Sequence, residues 1–271
     1  MSSKTLTNRH HEWRQALADF REGIEKYPVW SILAWQDIRQ RYRRSVLGPF
    51  WITLTMMVTI AGMGPLYAAL LRISARDFIP YLALGLIAWG FVSSLILDGN
   101  TSFTAADSMI RSVKLPLSMH VLRMILRNVI IFLHNIVAYI PFAIYLGIRP
   151  SWLWLMAIPG MFLIVLAAFP AAIILGILCA RFRDMQQIIA SIVQLAFFLT
   201  PIIWKPELLG SREYIANFNP LYLFVDLLRG PVYGQMPGIR VYIGAFIVIA
   251  VLYAIAFPLF CRYRQRIAFW V

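Results

Sequence analysis

The chain is 271 residues long, 61% hydrophobic and only 14% charged, with a formal net charge of +13. So little charge on so much apolar sequence excludes an ordinary soluble globular domain. The positive balance does not argue for nucleic acid either, because the basic residues stand at the ends of apolar segments and form no continuous face.

Cys179 and Cys261 both lie in or beside apolar runs, which indicates neither a disulfide framework nor a metal site. The first 48 residues are polar and charged, with no early apolar core followed by a small-residue cleavage site. No cleaved signal peptide is therefore expected.

Residues 10–26 read as an amphipathic helix. Trp13, Leu17, Phe20 and Ile24 share a face, and Arg14, Asp19, Arg21, Glu22 and Glu25 fill the others. Pro28 suits the first turn of a second helix over residues 29–44, whose Trp30, Leu33, Trp35, Ile38 and Tyr42 fit a membrane interface. The alternative is a soluble cap. Four arginines, Arg39, Arg41, Arg43 and Arg44, crowd the end of that helix. A Leu47-Gly48-Pro49 turn then leads into a long apolar run opening with Phe50 and Trp51.

The expected fold is all-α, a polytopic membrane protein with six crossings over residues 49–71, 78–97, 119–146, 152–180, 187–204 and 241–261. Each is long enough for a hydrocarbon layer of ~30 Å, the longest with tilt or overhang. Residues 1–48 and 262–271 remain as terminal segments flanking the transmembrane domain, 49–261. Lys and Arg number 18 on the side of the N-terminus and 7 on the other, which assigns both termini to the cytoplasm.

Between the second and third crossings, Thr104 and Asp107 have the spacing of a capping box, Met109, Ile110 and Val113 give an apolar face, and Pro116 is a stop. A short helix lying along the inner side is a docking device or a plain linker. In the long outer loop, residues 205–240, Asn219-Pro220 is a helix start and Gly230-Pro231 an end. Leu221, Phe224, Val225 and Leu228 share one face of that segment, and Tyr222, Asp226 and Arg229 fall on another as a candidate polar seam at an outer gate. About ten residues cannot cross a bilayer, so the apolar face dips into the outer leaflet or packs on the bundle.

Two crossings carry polar stripes: Thr55 and Thr59 with Gly62 on the first, and Gln187, Ser191 and Gln194 on the fifth. They either line a wet conduit or join helices. Arg123 and Arg127 on the third crossing are expected to snorkel to the inner interface, and His134 lies deeper. No carboxylate sits within a crossing to carry protons, and no G-x-x-x-x-G-K-[ST] loop occurs. Glu207 and Glu213 are isolated outer-loop carboxylates, the candidates a membrane enzyme or an energy-independent flippase would need. A chain with no nucleotide-cleaving loop that moves cargo uphill requires a partner to supply the energy.

Four pieces in order resemble the membrane subunits of type-2 ABC exporters for polysaccharides such as O-antigen, capsule and teichoic acid. They are R-Y-R-R-S-V-L-G-P-F-W (41–51), R-F-R-D-M-Q-Q (181–187), T-P-I-I-W (200–204) and N-P-L-Y-L-F-V-D-L-L-R (219–229). The similarity runs from about Trp30 to the C-terminus. It implies a homodimer in the bacterial inner membrane, each copy bound to a separate ATPase subunit that carries the ATP and magnesium, with no cofactor in this chain and no nucleic-acid partner. It implies a coupling helix over residues 105–115, with Asp107, Ile110, Arg111 and Lys114 as candidate contacts to the ATPase. It further implies short re-entrant outer helices near 206–217 and 220–230. The cargo would be a polysaccharide on a polyprenyl pyrophosphate lipid, with Arg39, Arg41, Arg43 and Arg44 guiding the pyrophosphate and Leu47 and Gly48 shaping the entrance. The first and fifth crossings would line the channel, with Phe50, Trp51, Phe197 and Phe198 as candidate stacking surfaces for sugars. A drug or small-lipid exporter of the same superfamily is the remaining alternative.

Overall fold

The computed structural model describes residues 2–41, 43, 45–212 and 214–271, without the side chains of residues 2–11 and 217. The expectations placed on Tyr42, Arg44 and Glu213 lie outside the described residues. Among those residues the ordered elements are all helical. They are α1 (Ser2–Glu25), α2 (Tyr27–Arg41), α3 (Phe50–Leu71), α4 (Ala75–Asn100), α5 (Asp107–Ser112), α6 (Leu117–Val137), α7 (Ile140–Tyr145), α8 (Ala157–Arg181), α9 (Met185–Leu199), α10 (Tyr214–Asn217), α11 (Pro220–Tyr233) and α12 (Ile239–Trp270), with short 3-10 turns between some of them.

Among the described residues five stretches are long and apolar enough to cross a membrane: α3, α4, Leu117–Tyr145, Trp152–Arg181 and α12. The fifth expected crossing, residues 187–204, is a shorter object. α9 has 15 residues, which span about 22 Å at 1.5 Å per residue. It stops at Thr200, whose backbone is extended, because the ring of Pro201 disfavours the helical region for the residue before it. The apolar Ile202 and Ile203 continue the hydropathic run after the helix itself has ended.

α4 is the axis of the bundle and is buried along most of its length, whereas α3 and α12 are largely exposed. Residues on a helix separate by about 100° each, so α4 offers its neighbours distinct faces. Gly90 approaches Met56 of α3, Trp89 packs at 5.8 Å against the tilted ring of Phe197 of α9, and Phe91 stacks at 4.5 Å on Phe132 of α6. On another side, Gly99 meets Ala172 of α8.

α11 lies along this axis. The hydroxyl of Tyr233 in its last turn donates to the carbonyl of Asp77 near the start of α4 (3.3 Å). Its first turn, Pro220 and Leu221, shares a cavity with Val92 and Leu95. The helix thus runs from the end of the bundle to mid-depth and packs on it. Asn219 caps it by accepting from the Leu221 amide (3.0 Å), as its position before Pro220 predicts. Gly230-Pro231 does not end it: the helix continues through both to Tyr233 and closes at Gly234, which is left-handed at φ 92°. Close packing holds α11 in place. A Cβ on Gly160 of α8 would stand 3.0 Å from the carbonyl carbon of Leu227, so only glycine lets the two backbones approach.

Three further expectations change. Thr104 does not cap α5. It belongs to a separate 3-10 turn, and its hydroxyl donates to Thr101 (3.4 Å), so the capping box does not form. The helix expected over residues 29–44 begins at Tyr27, with Pro28 inside its first turn. On α1, Asp19 is not a solvated face residue. It is 1% exposed, while Trp13, Leu17 and Ile24 face outward. Its carboxylate accepts from the amides of Leu117 (3.1 Å) and Ser118 (3.0 Å) and from Nε of Arg264 (2.9 Å). A side chain from α1 therefore caps α6, because the free amides of a helix start attract a carboxylate wherever the chain can supply one.

Candidate functional site

The basic segment at the end of α2 leads into α3 through Gly48, whose φ of 55° is a left-handed conformation that glycine adopts freely. Nothing lies within 4 Å of a Cβ built there, so the backbone angle, not crowding, favours glycine. Leu47 is exposed beside it. Arg39, Arg41 and Arg43 are exposed, and none has an ion-pair partner among the described residues. The nearby carboxylate that would neutralise them, Asp37, points inward instead.

Asp37 belongs to a cluster that joins three helices. It pairs with Arg123, and its Oδ2 lies 2.8 Å from Arg123 Nε and 3.4 Å from Arg127 Nη1. Arg127 Nη2 lies 2.8 Å from Asp98 Oδ2, which also accepts from Asn128 (2.9 Å). Arg123 and Arg127 are thus ion-paired to α2 and α4 and do not simply snorkel. The sequence signal was the i, i+4 spacing of the two arginines; the partners lie too far along the chain to be read from it. His134 is satisfied locally, its Nδ1 standing 2.8 Å from the Ile130 carbonyl.

Beyond the basic rim, Arg41, Trp51, Thr55, Thr59, Leu86 and Asn135 share an open groove of about 560 Å³. The structure therefore brings one cationic rim residue, one exposed indole and the α3 polar stripe to one place. The hydroxyls of Thr55 and Thr59 donate to the carbonyls of Trp51 and Thr55 on their own helix (both 2.8 Å). Helix joining falls to Thr53, absent from the sequence reading, whose buried hydroxyl donates to the His134 carbonyl (3.0 Å). Phe50 is exposed at the start of the same helix.

The α9 stripe rides on a different face of α4. Gln187, Ser191 and Gln194 are exposed, and the Ser191 hydroxyl donates to Gln187 (3.0 Å). Phe197 packs on Trp89, and Phe198 is 62% exposed, its ring 5.3 Å from that of Phe197. Both stripes are left open on the surface of a single chain.

On α5, Arg111 pairs with Asp107 and also bonds the carbonyl of Val271, tying the helix to the end of α12. Ile110 is packed on the core and Lys114 is exposed.

At the opposite end of the bundle, Tyr222, Asp226 and Arg229 do come together on α11. Arg229 is 3% exposed, and its Nη1 donates to the Pro201 carbonyl (2.6 Å), with Asp226 at 3.5 Å from Nη2. Its guanidinium carbon stands 4.2 Å from the centroid of Tyr81 and 5.6 Å from that of Tyr222. The Tyr81 hydroxyl donates to the carbonyls of Pro201 (3.2 Å) and Trp204 (3.0 Å), and Asn219 donates to Thr200 Oγ1 (2.9 Å). The broken end of α9 is thus held by α4 and α11. Tyr81 had no signal in the sequence, where it is one aromatic residue within an apolar run.

A helical membrane bundle with a basic segment before α3 and a short helix whose end is locked under α11 is an architecture that suits a transporter, and the chain belongs to the ABC-2 type transporter family, whose profile matches residues 28–233. Among its relatives, a Klebsiella pneumoniae protein named O-antigen export system permease protein RfbA is 27% identical over 188 residues, covering 69% of this chain and 73% of that one. A Myxococcus xanthus protein of the same name is 26% identical over 202 residues, covering 70% and 74%.

Proposed function

We propose that the chain is the channel-forming membrane subunit of an ATP-driven exporter that moves an O-antigen-like polysaccharide on polyprenyl pyrophosphate from the cytoplasmic to the outer side of the bacterial inner membrane. The observation that carries this reading is Arg41, uncompensated by carboxylates among the described residues, lining the groove that holds Trp51, Thr55 and Thr59, with the exposed Arg39 and Arg43 two residues to either side along the chain. A pyrophosphate needs delocalised cations at the headgroup level, and guanidinium forks fit it in two-point contacts. A sugar needs flat apolar faces with hydroxyl-bearing neighbours, which Trp51 and the threonines supply. The names of the relatives support the glycan as cargo.

The sequence holds no P-loop, so ATP and magnesium belong to a separate ATPase subunit, two copies of which serve a homodimer of this chain. The foot for each is α5, through Asp107, Ile110, Arg111 and Lys114. In the homodimer the open stripes of α3 and α9 face a common channel. α9 serves as the short fifth crossing of six, α10 and α11 form the re-entrant outer closure with Tyr222, Asp226 and Arg229 behind it, and both termini stay in the cytoplasm.

The test is export in cells carrying Arg41→Ala together with Arg43→Ala, with membrane insertion and ATPase association measured in parallel. A loss of export of about tenfold or more at normal assembly is expected, since each lost charge-assisted contact is worth ~1.5–3 kcal/mol. Normal export from the double variant would overturn the reading.

A further inference from the structure

α4 has a third face that neither polar stripe uses. Leu86 and Gly90 turn toward α3, and Gly85 and Trp89 toward α9 and the turn after it, while Leu84, Ile87 and Ala88 point elsewhere. There they floor a groove of about 500 Å³ whose walls come from α6, α7, α8 and the last half of α11. Its depth is apolar and buried: Phe132, Tyr139 and Ala143 are all at most 6% exposed. Its mouth is apolar and open, with Leu133, Ile144 and Ile158 at least half exposed. Because the exposed residues at the mouth, Leu133, Ile144 and Ile158, belong to the membrane-crossing stretches Leu117–Tyr145 and Trp152–Arg181, the mouth opens sideways into hydrocarbon, where water cannot fill it.

The groove has a charged rim at one end. Ile148 and Pro150 both line it, and the residue between them is the exposed Arg149. Arg76 comes to the same loop, its Nη2 standing 3.9 Å from where a Cβ on Gly147 would be. Neither arginine has an ion-pair partner among the described residues, and Asp77 is the one carboxylate in the two segments 72–77 and 146–151. Tyr139 and Trp154, 6.2 Å apart, line the same groove, and Trp152, which follows Arg149 closely along the chain, is 67% exposed, aromatic residues of the kind that mark headgroup level. Positive charge is scarce on this side of the chain, 7 residues against 18. Topology does not call for arginines here, so their place on the groove's rim needs another cause.

We propose that this groove is a binding site for an anionic bilayer phospholipid, one acyl chain lying along Leu84, Ile87 and Ala88 and the phosphate held between Arg76 and Arg149. Burial of the chain gives no headgroup preference and little affinity over the surrounding bilayer, whose tails are as apolar as the groove. Preference comes from the two guanidinium groups, which form charge-assisted bonds to the phosphate at a membrane surface. The occupant is a resident lipid and not the cargo, because the groove turns away from both stripes that line the proposed path.

The test is native mass spectrometry of the transporter purified with its ATPase and titrated in detergent with phosphatidylglycerol or phosphatidylcholine. One phosphatidylglycerol per chain is expected to be retained about tenfold over phosphatidylcholine, a difference of ~1.4 kcal/mol. Arg76→Gln with Arg149→Gln, both exposed and safe for folding, is expected to bring the two lipids within about twofold. Ile158→Trp at the mouth is expected to lower both. Equal retention of the two lipids by the native protein, or unchanged selectivity in the double arginine variant, overturns the proposal. So does displacement of phosphatidylglycerol by a polyprenyl phosphate, or a disulfide between two copies carrying Ile158→Cys.

Discussion

The bundle takes arginine out of full solvent exposure at both ends, partly at one and almost wholly at the other, and solves the problem differently at each. At the end where α3 begins, Arg123 and Arg127 meet Asp37 and Asp98, so charge is balanced by charge across α2, α4 and α6. At the other end Arg229 is more deeply buried, and its shortest contact is a neutral carbonyl, that of Pro201, with Tyr81 and Tyr222 against its planar face. The first arrangement fastens one helix to another. The second fastens a helix that has been interrupted, since a carbonyl freed by the break at Thr200-Pro201 needs a donor. The lesson is that a buried guanidinium follows whatever the local backbone leaves unsatisfied, and carboxylates are one supply among several.

That contrast can be broken by substitution. Arg229→Met should be the most damaging, because it takes a buried cation from Asp226 and leaves the Pro201 carbonyl only the longer bond from the Tyr81 hydroxyl (3.2 Å). A loss of about 3–5 kcal/mol is expected, read as a fall in the unfolding midpoint of the purified complex in detergent. Arg229→Lys should recover less than half of it, because an ammonium cannot keep both the carbonyl contact and the stacking. If Arg229→Met leaves stability unchanged, the outer end is not held by this residue.

Asp37→Asn should cost less, about 1–2 kcal/mol, since Asp98 remains for Arg127 and the cluster is partly exposed, with Asp37 at 13% and Arg123 at 23%. A double-mutant cycle with Arg123→Met isolates the pair. Raising ionic strength to about 1 M, where the screening length falls to ~3 Å, should shrink the Asp37 effect and leave that of Arg229 in place. Equal salt sensitivity at both ends would erase the distinction drawn here.

Thr55→Val with Thr59→Val belongs to neither end and should change stability by less than about 0.5 kcal/mol. Those hydroxyls bond only to their own helix on an open face. The same pair should slow export, which separates a path-lining stripe from a packing one; unaltered export would count them as surface.

Much of the bundle was legible beforehand, and the misses are instructive. Apolar run length found α3, α4, α8 and α12, and the Asn219-Pro220 signal found the start of α11. The same criterion carried the fifth crossing past Thr200 because Ile202 and Ile203 are as apolar as the helix before them; the proline, not the hydropathy, ended it. Gly230-Pro231 misled in the opposite direction, since packing of α11 on α4 and α8 outweighs two poor helix formers. Asp19 was assigned to solvent by its neighbours on the helix wheel, while the open amides of α6 drew it inward.

Membrane residence, helical class, kinship with the transporter family and the place of the basic rim all follow from local properties: the length of a run, the chemistry of a turn, the order of short motifs. Pairing does not. Asp37 and Arg123 stand 86 residues apart, Asp19 and Arg264 245. Which face α4 turns to each neighbour, and hence where a groove opens, depends on side chains that meet only after the chain has closed on itself. A one-dimensional pattern holds no term for that, because packing is set by distances in space and not by spacing along the chain.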